Sequence, residues 1–109
     1  MDHWDLRTVG VQPHQPQVLH SSRGESRSVV ITLPAGEALA DHQVHERAHV
    51  VVVEGDVRIT AAESAVAGGP GTYVIFDPAE RHEVTAVTDT RLLLVLAPWP
   101  GEGHPGARR

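Results

Sequence analysis

Three histidines, His42, His45 and His49, fall within the eight residues HQVHERAH, and the chain then runs straight into Val50–Val53 and Gly55. Neutral imidazole is the commonest protein metal ligand and the usual general base near neutral pH. A fourth candidate, His82, closes a second apolar run, GTYVIFDPAERH. The chain contains no cysteine, so thiolate metal sites and disulfides are excluded. Any bound metal must use imidazole, carboxylate, amide or water. Two histidine-bearing strand ends in an all-β pattern point to a pocket inside a small barrel.

The elements that must hold these side chains are strands. No window sustains the apolar i, i+3, i+4, i+7 spacing of a helix, and 10 Gly and 8 Pro punctuate the chain. Short β-branched runs separated by turn residues imply a sandwich or barrel. Strands are expected at Val18–Ser21, Arg27–Leu33, Ala38–His45, Ala48–Val53, Val57–Ala61, Thr72–Phe76, His82–Val87 and Arg91–Ala97, with a short one near Trp4–Thr8. Glu54-Gly55-Asp56 is expected to join its two flanking strands as a hairpin, with Gly55 supplying a positive φ. Residues 1–16 read as an N-terminal arm, 17–98 as the barrel and 99–109 as a flexible tail.

One domain is expected from 109 residues. Nine arginines and no lysine oppose 14 acidic residues, for a formal charge of −5. That balance argues against nonspecific nucleic-acid binding, which needs a basic stripe. No apolar run approaches the roughly 18 residues that cross a bilayer. MDHWDLRT has no apolar core of a secretory signal. The expectation is a soluble cytoplasmic protein with neither nucleic-acid nor membrane partners. Val50–Val53 and RLLLVLA are apolar on both faces, which implies cover on both sides. A homodimer formed through a sheet face is therefore expected; the alternative is cover by the N-terminal arm.

These residues resemble the cupin family. Its first motif runs Gly, five residues, His, one residue, His, three or four residues, Glu, six residues, Gly. Gly36, His42 and Gly55 match it, whereas Val44 and Ala48 stand where the second His and the Glu belong. In the second motif Gly71, Pro78 and His82 match, with the Pro-to-His interval one residue short. The resemblance covers roughly residues 28–97. It implies an all-β, double-stranded β-helix (jelly-roll) barrel, often dimeric, with the motif ligands at its mouth.

In the family register, His42, Val44, Ala48 and His82 face the pocket. Two imidazoles are too few for tight zinc or iron, so water or a carboxylate such as Glu46 or Glu80 has to help. A one-residue bulge on each arm of the turn reverses the faces and brings Gln43, His45 and His49 inward instead. His45, His49 and His82 then form a three-histidine site. The valine run leaves both registers open, since both alternations are apolar. The plain readings also stand: His45 solvated in a turn, His49 on an outer face at a dimer interface, and Glu46, Glu80 and Glu83 as exposed charges. Tyr73 and Phe76 read as core, and Trp99 as a cap on one barrel end.

Two functions are carried forward. The first is a cupin that holds a divalent transition metal (Fe, Zn, Ni, Cu or Mn) through His42, His45, His49 and His82, as an oxygenase or isomerase of a small molecule. The second is a metal-free cupin that binds a small ligand as a sensor or carrier. Metal-free acid–base catalysis, as in sugar epimerases of the family, ranks behind both. No nucleophile elbow or phosphate loop is present.

Overall fold

The computed structural model describes residues 1–42 and 46–99, without the side chains of residues 40–42. Nine strands follow one another: β1 Gln17–Ser22, β2 Ser26–Leu33, β3 Ala38–His42, β4 Arg47–Glu54, β5 Val57–Ala61, β6 Ser64–Gly68, β7 Tyr73–Phe76, β8 His82–Ala86 and β9 Thr90–Ala97. They form two antiparallel sheets, ordered β1-β2-β9-β4-β7 and β3-β8-β5-β6. This is the expected all-β double-stranded β-helix. Among the described residues no helix is long and apolar enough to cross a membrane.

Alternation along each strand builds the core. Val29, Ile31 and Leu33 of β2, Ala48, Val50 and Val52 of β4, and Leu92 and Leu96 of β9 turn inward. They meet Val57 and Ile59 of β5 and Val84 and Ala86 of β8 from the opposite sheet. β-Branched side chains suit such a surface because they pack well on a pleat at little rotamer cost.

Three sequence expectations need correction. The first concerns Gly55. β4 and β5 lie in different sheets, so Glu54-Gly55-Asp56 is a corner between sheets rather than a hairpin turn. Gly55 does have φ 89°, and a Cβ there would lie 2.3 Å from the Asp89 carbonyl oxygen and 2.6 Å from Thr90 Oγ1. The close approach is the β8–β9 turn, tied to the corner by Asp56 N donating to Thr88 Oγ1 (2.9 Å) and Val87 N donating to the Asp56 carbonyl (2.8 Å). A sequence run cannot show which sheet the next strand joins.

The second is the strand expected near Trp4–Thr8. That segment is a turn, in which Thr8 N and Val9 N both donate to the Asp5 carbonyl. Asp5 also accepts from Arg7, and the paired guanidinium holds its carboxyl below the usual range. The third is β6, SAVAG, a strand that the apolar runs do not predict. It has little apolar alternation because it is an exposed edge strand.

Both the N-terminal arm and the segment after β9, as far as Trp99, are fastened to the barrel. Arg91 donates to the Leu6 and Val9 carbonyls of the arm, and His14 pairs with Glu37. Trp99 packs against the core edge, with the Arg27 guanidinium 5.0 Å from its ring centroid. Its backbone bonds to the β1–β2 turn through Gly24 N and the Glu25 carbonyl. Trp99 thus serves as the expected end cap, while the tail from 100 lies outside the described residues.

Gly55→Ala should lose more than about 2 kcal/mol, because a left-handed backbone position is combined with a blocked Cβ site. Urea denaturation measures it. An unchanged midpoint would show that the corner and the β8–β9 turn are not in close contact.

Candidate functional site at the barrel mouth

The inward alternation of β4 decides which histidines can meet. Arg47 to Val52 pair without interruption against β9, and Ala48 to Val51 against β7. Ala48, Val50 and Val52 are buried, while His49 and Val51 are half-exposed on the opposite face. The expectation that a bulge turns His49 inward is therefore corrected. A one-residue bulge does occur, but on β3, where Leu39 pairs with Val84 and His42 with His82. Three residues on β3 thus span two on β8.

This places His42 directly opposite His82 in the backbone ladder. On the other side of β8, Ala61 pairs with His82. The row His42–His82–Ala61 forms one wall of the mouth. The opposite wall comes from the other sheet, where Ala48 pairs with Phe76. Val44 and His45 lie outside the described residues.

His82 is buried, stacked and hydrogen-bonded. It is 3% exposed. Its ring stacks on Phe76 with centroids 3.9 Å apart and planes 7° from parallel. Its Nδ1 lies 3.1 Å from the Glu80 carbonyl oxygen. A carbonyl only accepts, so Nδ1 carries the proton, and in the neutral ring Nε2 then carries the lone pair. Metal-ligating histidines are fixed in this way, the second ring nitrogen donating to a backbone carbonyl.

The loop before β8 aims that carbonyl. In Asp77-Pro78-Ala79-Glu80, Glu80 N donates to the Asp77 carbonyl (3.0 Å). Proline at the second position with Ala79 at φ 65° is the type II turn pattern. Asp77 N donates to Glu80 Oε1 (2.9 Å), and Arg47 Nη1 donates to Asp77 Oδ1 (2.7 Å). The ion pair thereby ties the loop to the start of β4.

Glu46, expected as an exposed charge, is only 4% exposed. It continues the even-numbered series Ala48, Val50 and Val52, and extending that parity by one step would have found it. Glu80 and Glu83 are half-buried, and Arg47 and Arg81 are exposed, close to the expectation. Phe76 belongs to the core as expected, but Tyr73 does not: it is 55% exposed on the outer face, bonded to His49 (2.6 Å). An open cleft of about 360 Å³ beside His82 is lined by Thr60, Ala61, Ala62, Arg81 and Glu83. Among the described residues no group of three His, Asp or Glu side chains is placed to hold a metal ion.

Phe76→Ala should cost about 3–5 kcal/mol of stability, since it empties the site between the sheets. It should also free the His82 ring, seen by nitrogen-15 NMR as loss of the single Nδ1–H tautomer. A His82 spectrum unchanged in the variant would show that the stacking does not hold the ring.

Residues 29–98 match the cupin domain family. An RmlC-like cupin protein from Desulfovibrio desulfuricans is similar in structure, with TM-score 0.78 and 24% identity over 90% of this chain and 97% of that one. TT1209 from Thermus thermophilus gives TM-score 0.79 and 22% identity over 92% and 100%. The SPY1581 protein of unknown function from Streptococcus pyogenes gives 0.72 and 23% over 87% and 85%. No curated protein matches the sequence. At these identities the solved structures share the fold alone. The family match extends from β2 through β9 and takes in the mouth with Ala48, Phe76 and His82, so the chain belongs to the cupin domain family.

Proposed function

We propose that the protein binds a divalent transition metal at the barrel mouth through His42, His45 and His82, and presents it to a small molecule. The observation that carries this reading is the preparation of His82: buried, stacked, and with its Nδ1 proton committed to the Glu80 carbonyl. Donation from Nδ1–H to a carbonyl fixes the tautomer and the ring orientation, as second-ring-nitrogen contacts do in metal-ligating histidines. His42 stands opposite it in the ladder, and Glu46 supplies a buried carboxylate at the β4 end of the mouth.

The donor set fits a metal only in part. Ala48 offers no ligand where the family motif has Glu, and His49 faces away. Three imidazoles suit Fe, Zn, Ni or Cu and leave coordination positions open. A bound metal supplies Lewis acidity toward a carbonyl or a site for dioxygen. The chain's own part is to orient Nε2 of His82, to exclude water on the Phe76 side, and to offer Arg81 and Glu83 at the cleft rim.

The second reading is a metal-free cupin that binds a small molecule. Ala48 favours it, since this side chain makes an apolar wall at the position of a ligand. His82 then hydrogen-bonds the guest.

Elemental analysis of untagged protein prepared without chelator tests the two. The expected result is near-stoichiometric metal, lost in His82→Ala and in His42→Ala, with His49→Ala retaining it. Absence of metal after reconstitution with each candidate ion sinks the first reading. The metal-free reading then requires thermal stabilisation by a small molecule, because a ligand of the native state alone raises stability.

A further inference from the structure

One cross-strand row of the large sheet ends in a charge. Arg27 pairs with Leu96, Leu96 with Ala48, and Ala48 with Phe76, so the row crosses β2, β9, β4 and β7. Residues directly opposed in a ladder project from the same face. Leu96, Ala48 and Phe76 belong to the core cluster, as does Val29, the next residue of the same parity on β2. Arg27 therefore stands on the inner face. β2 and β3 are joined by the corner after Leu33, so the start of β2 and the end of β3, with His42, lie at the same end of the barrel. That end is the mouth. Phe76, with the His82 ring stacked on it, closes the row on the other side, three strand spacings or about 14 Å from β2.

A cation turned toward a core is costly without a counter-charge. Arg27 is half-buried, yet the ion pairs among the described residues are Asp5–Arg7, His14–Glu37 and Arg47–Asp77. No described carboxylate neutralises it. Its guanidinium lies 5.0 Å from the Trp99 ring centroid, and Nη1 donates to Ser21 Oγ at a long 3.5 Å. Trp99 is itself pinned to the β1–β2 turn, its N donating to the Glu25 carbonyl and its carbonyl accepting from Gly24 N. A cation over a ring is held by charge and uses no N–H donor. The guanidinium is thus positioned while its fork stays open to an acceptor.

We propose that Arg27 anchors a carboxylate, so that the small molecule taken at the mouth is an organic anion with its carboxylate on Arg27 and its other end toward His82. The planar fork matches a carboxylate with two parallel N–H···O bonds, stronger than neutral ones. The neighbouring arginines fit less well. Arg47 is already paired with Asp77, and Arg81 is exposed at the cleft rim, where water screens its charge. Glu46 places a carboxylate at the start of β4, and like charges keep apart, which leaves the β2 side for the ligand's own. The inference rests on the mouth being the binding site, with or without a metal.

Isothermal titration calorimetry of the full chain at constant ionic strength tests the proposal, with butyrate and succinate as probes beside their neutral amides, butyramide and succinamide. The carboxylates should bind about tenfold or more tightly than the amides. Arg27→Gln should remove that preference, and Arg27→Lys, which keeps the charge without the fork, should fall between. Arg23→Gln, exposed in the β1–β2 turn, should bind as the wild type does. A circular dichroism melt checks that each variant is folded; if Arg27→Gln is not, the wild-type preference and Arg27→Lys decide. A wild type that binds neither carboxylate, or binds it no better than its amide, overturns the proposal. So does a preference that survives Arg27→Gln, which would assign it to a metal or to Arg81. Elemental analysis of the same samples keeps the two readings apart, because Arg27→Gln should hold as much metal as the wild type. A carboxylate preference in protein without metal sinks only the metal reading, and metal without the preference sinks only this one.

Discussion

Which histidines can reach the mouth depends on the strict period of two along β4. β4 lies inside its sheet, bonded to β9 on one side and β7 on the other, so it cannot slip without breaking two ladders. A one-residue slip would exchange Ala48, Val50 and Val52 for His49, Val51 and Val53. Both series contain valines, so burial of valine alone does not choose between them. The choice comes from the ends. One parity brings a small alanine under Phe76 and leaves His49 to pair with Tyr73 outside. The other would bury the His49 imidazole against Phe76 and Leu96, at the cost of a polar group without its partner.

Irregularity is then displaced to places that tolerate it. The β3 bulge lies between Leu39 and His42, beside the mouth, where bulges commonly serve to re-aim side chains. A second register shift, between Val52 and Glu54, precedes the corner at Gly55. This second shift ends the regular part of β4. The type II turn at 77–80 completes the arrangement from the other sheet, since its last carbonyl holds His82 and its first carboxylate holds Arg47. A single loop therefore fixes both a ring in the pocket and the start of the strand that forms the pocket's far wall.

Much of this is legible in the sequence. The spacing of apolar runs marks eight of the strands, and Gly36, Gly55, Pro78 and His82 point to the family. Pairing between distant segments is what a linear reading lacks. Gly55 looks like a hairpin glycine in any one-dimensional reading, because the turn geometry is local and the change of sheet is not. Tyr73 looks like core, since an aromatic in an apolar run usually is; its outward position follows from the parity of Phe76, three residues on. Glu46 reads as exposed because charge ordinarily predicts exposure, yet its parity matches the inward series. The position of His49 is decided only by the continuous ladder from Arg47 to Val52.

β9 is the last of the described strands but sits between β2 and β4, at the centre of the larger sheet. During synthesis, β2 and β4 emerge with their inner edges unpaired until β9 has followed them out of the ribosome. The first eight strands thus form an incomplete template whose missing member is rich in leucine, and open edges of this kind recruit other chains. Truncation or stalling before Thr90 removes more than a terminus: it leaves a split sheet with two adhesive margins. The domain becomes self-contained only when its last strand closes the gap.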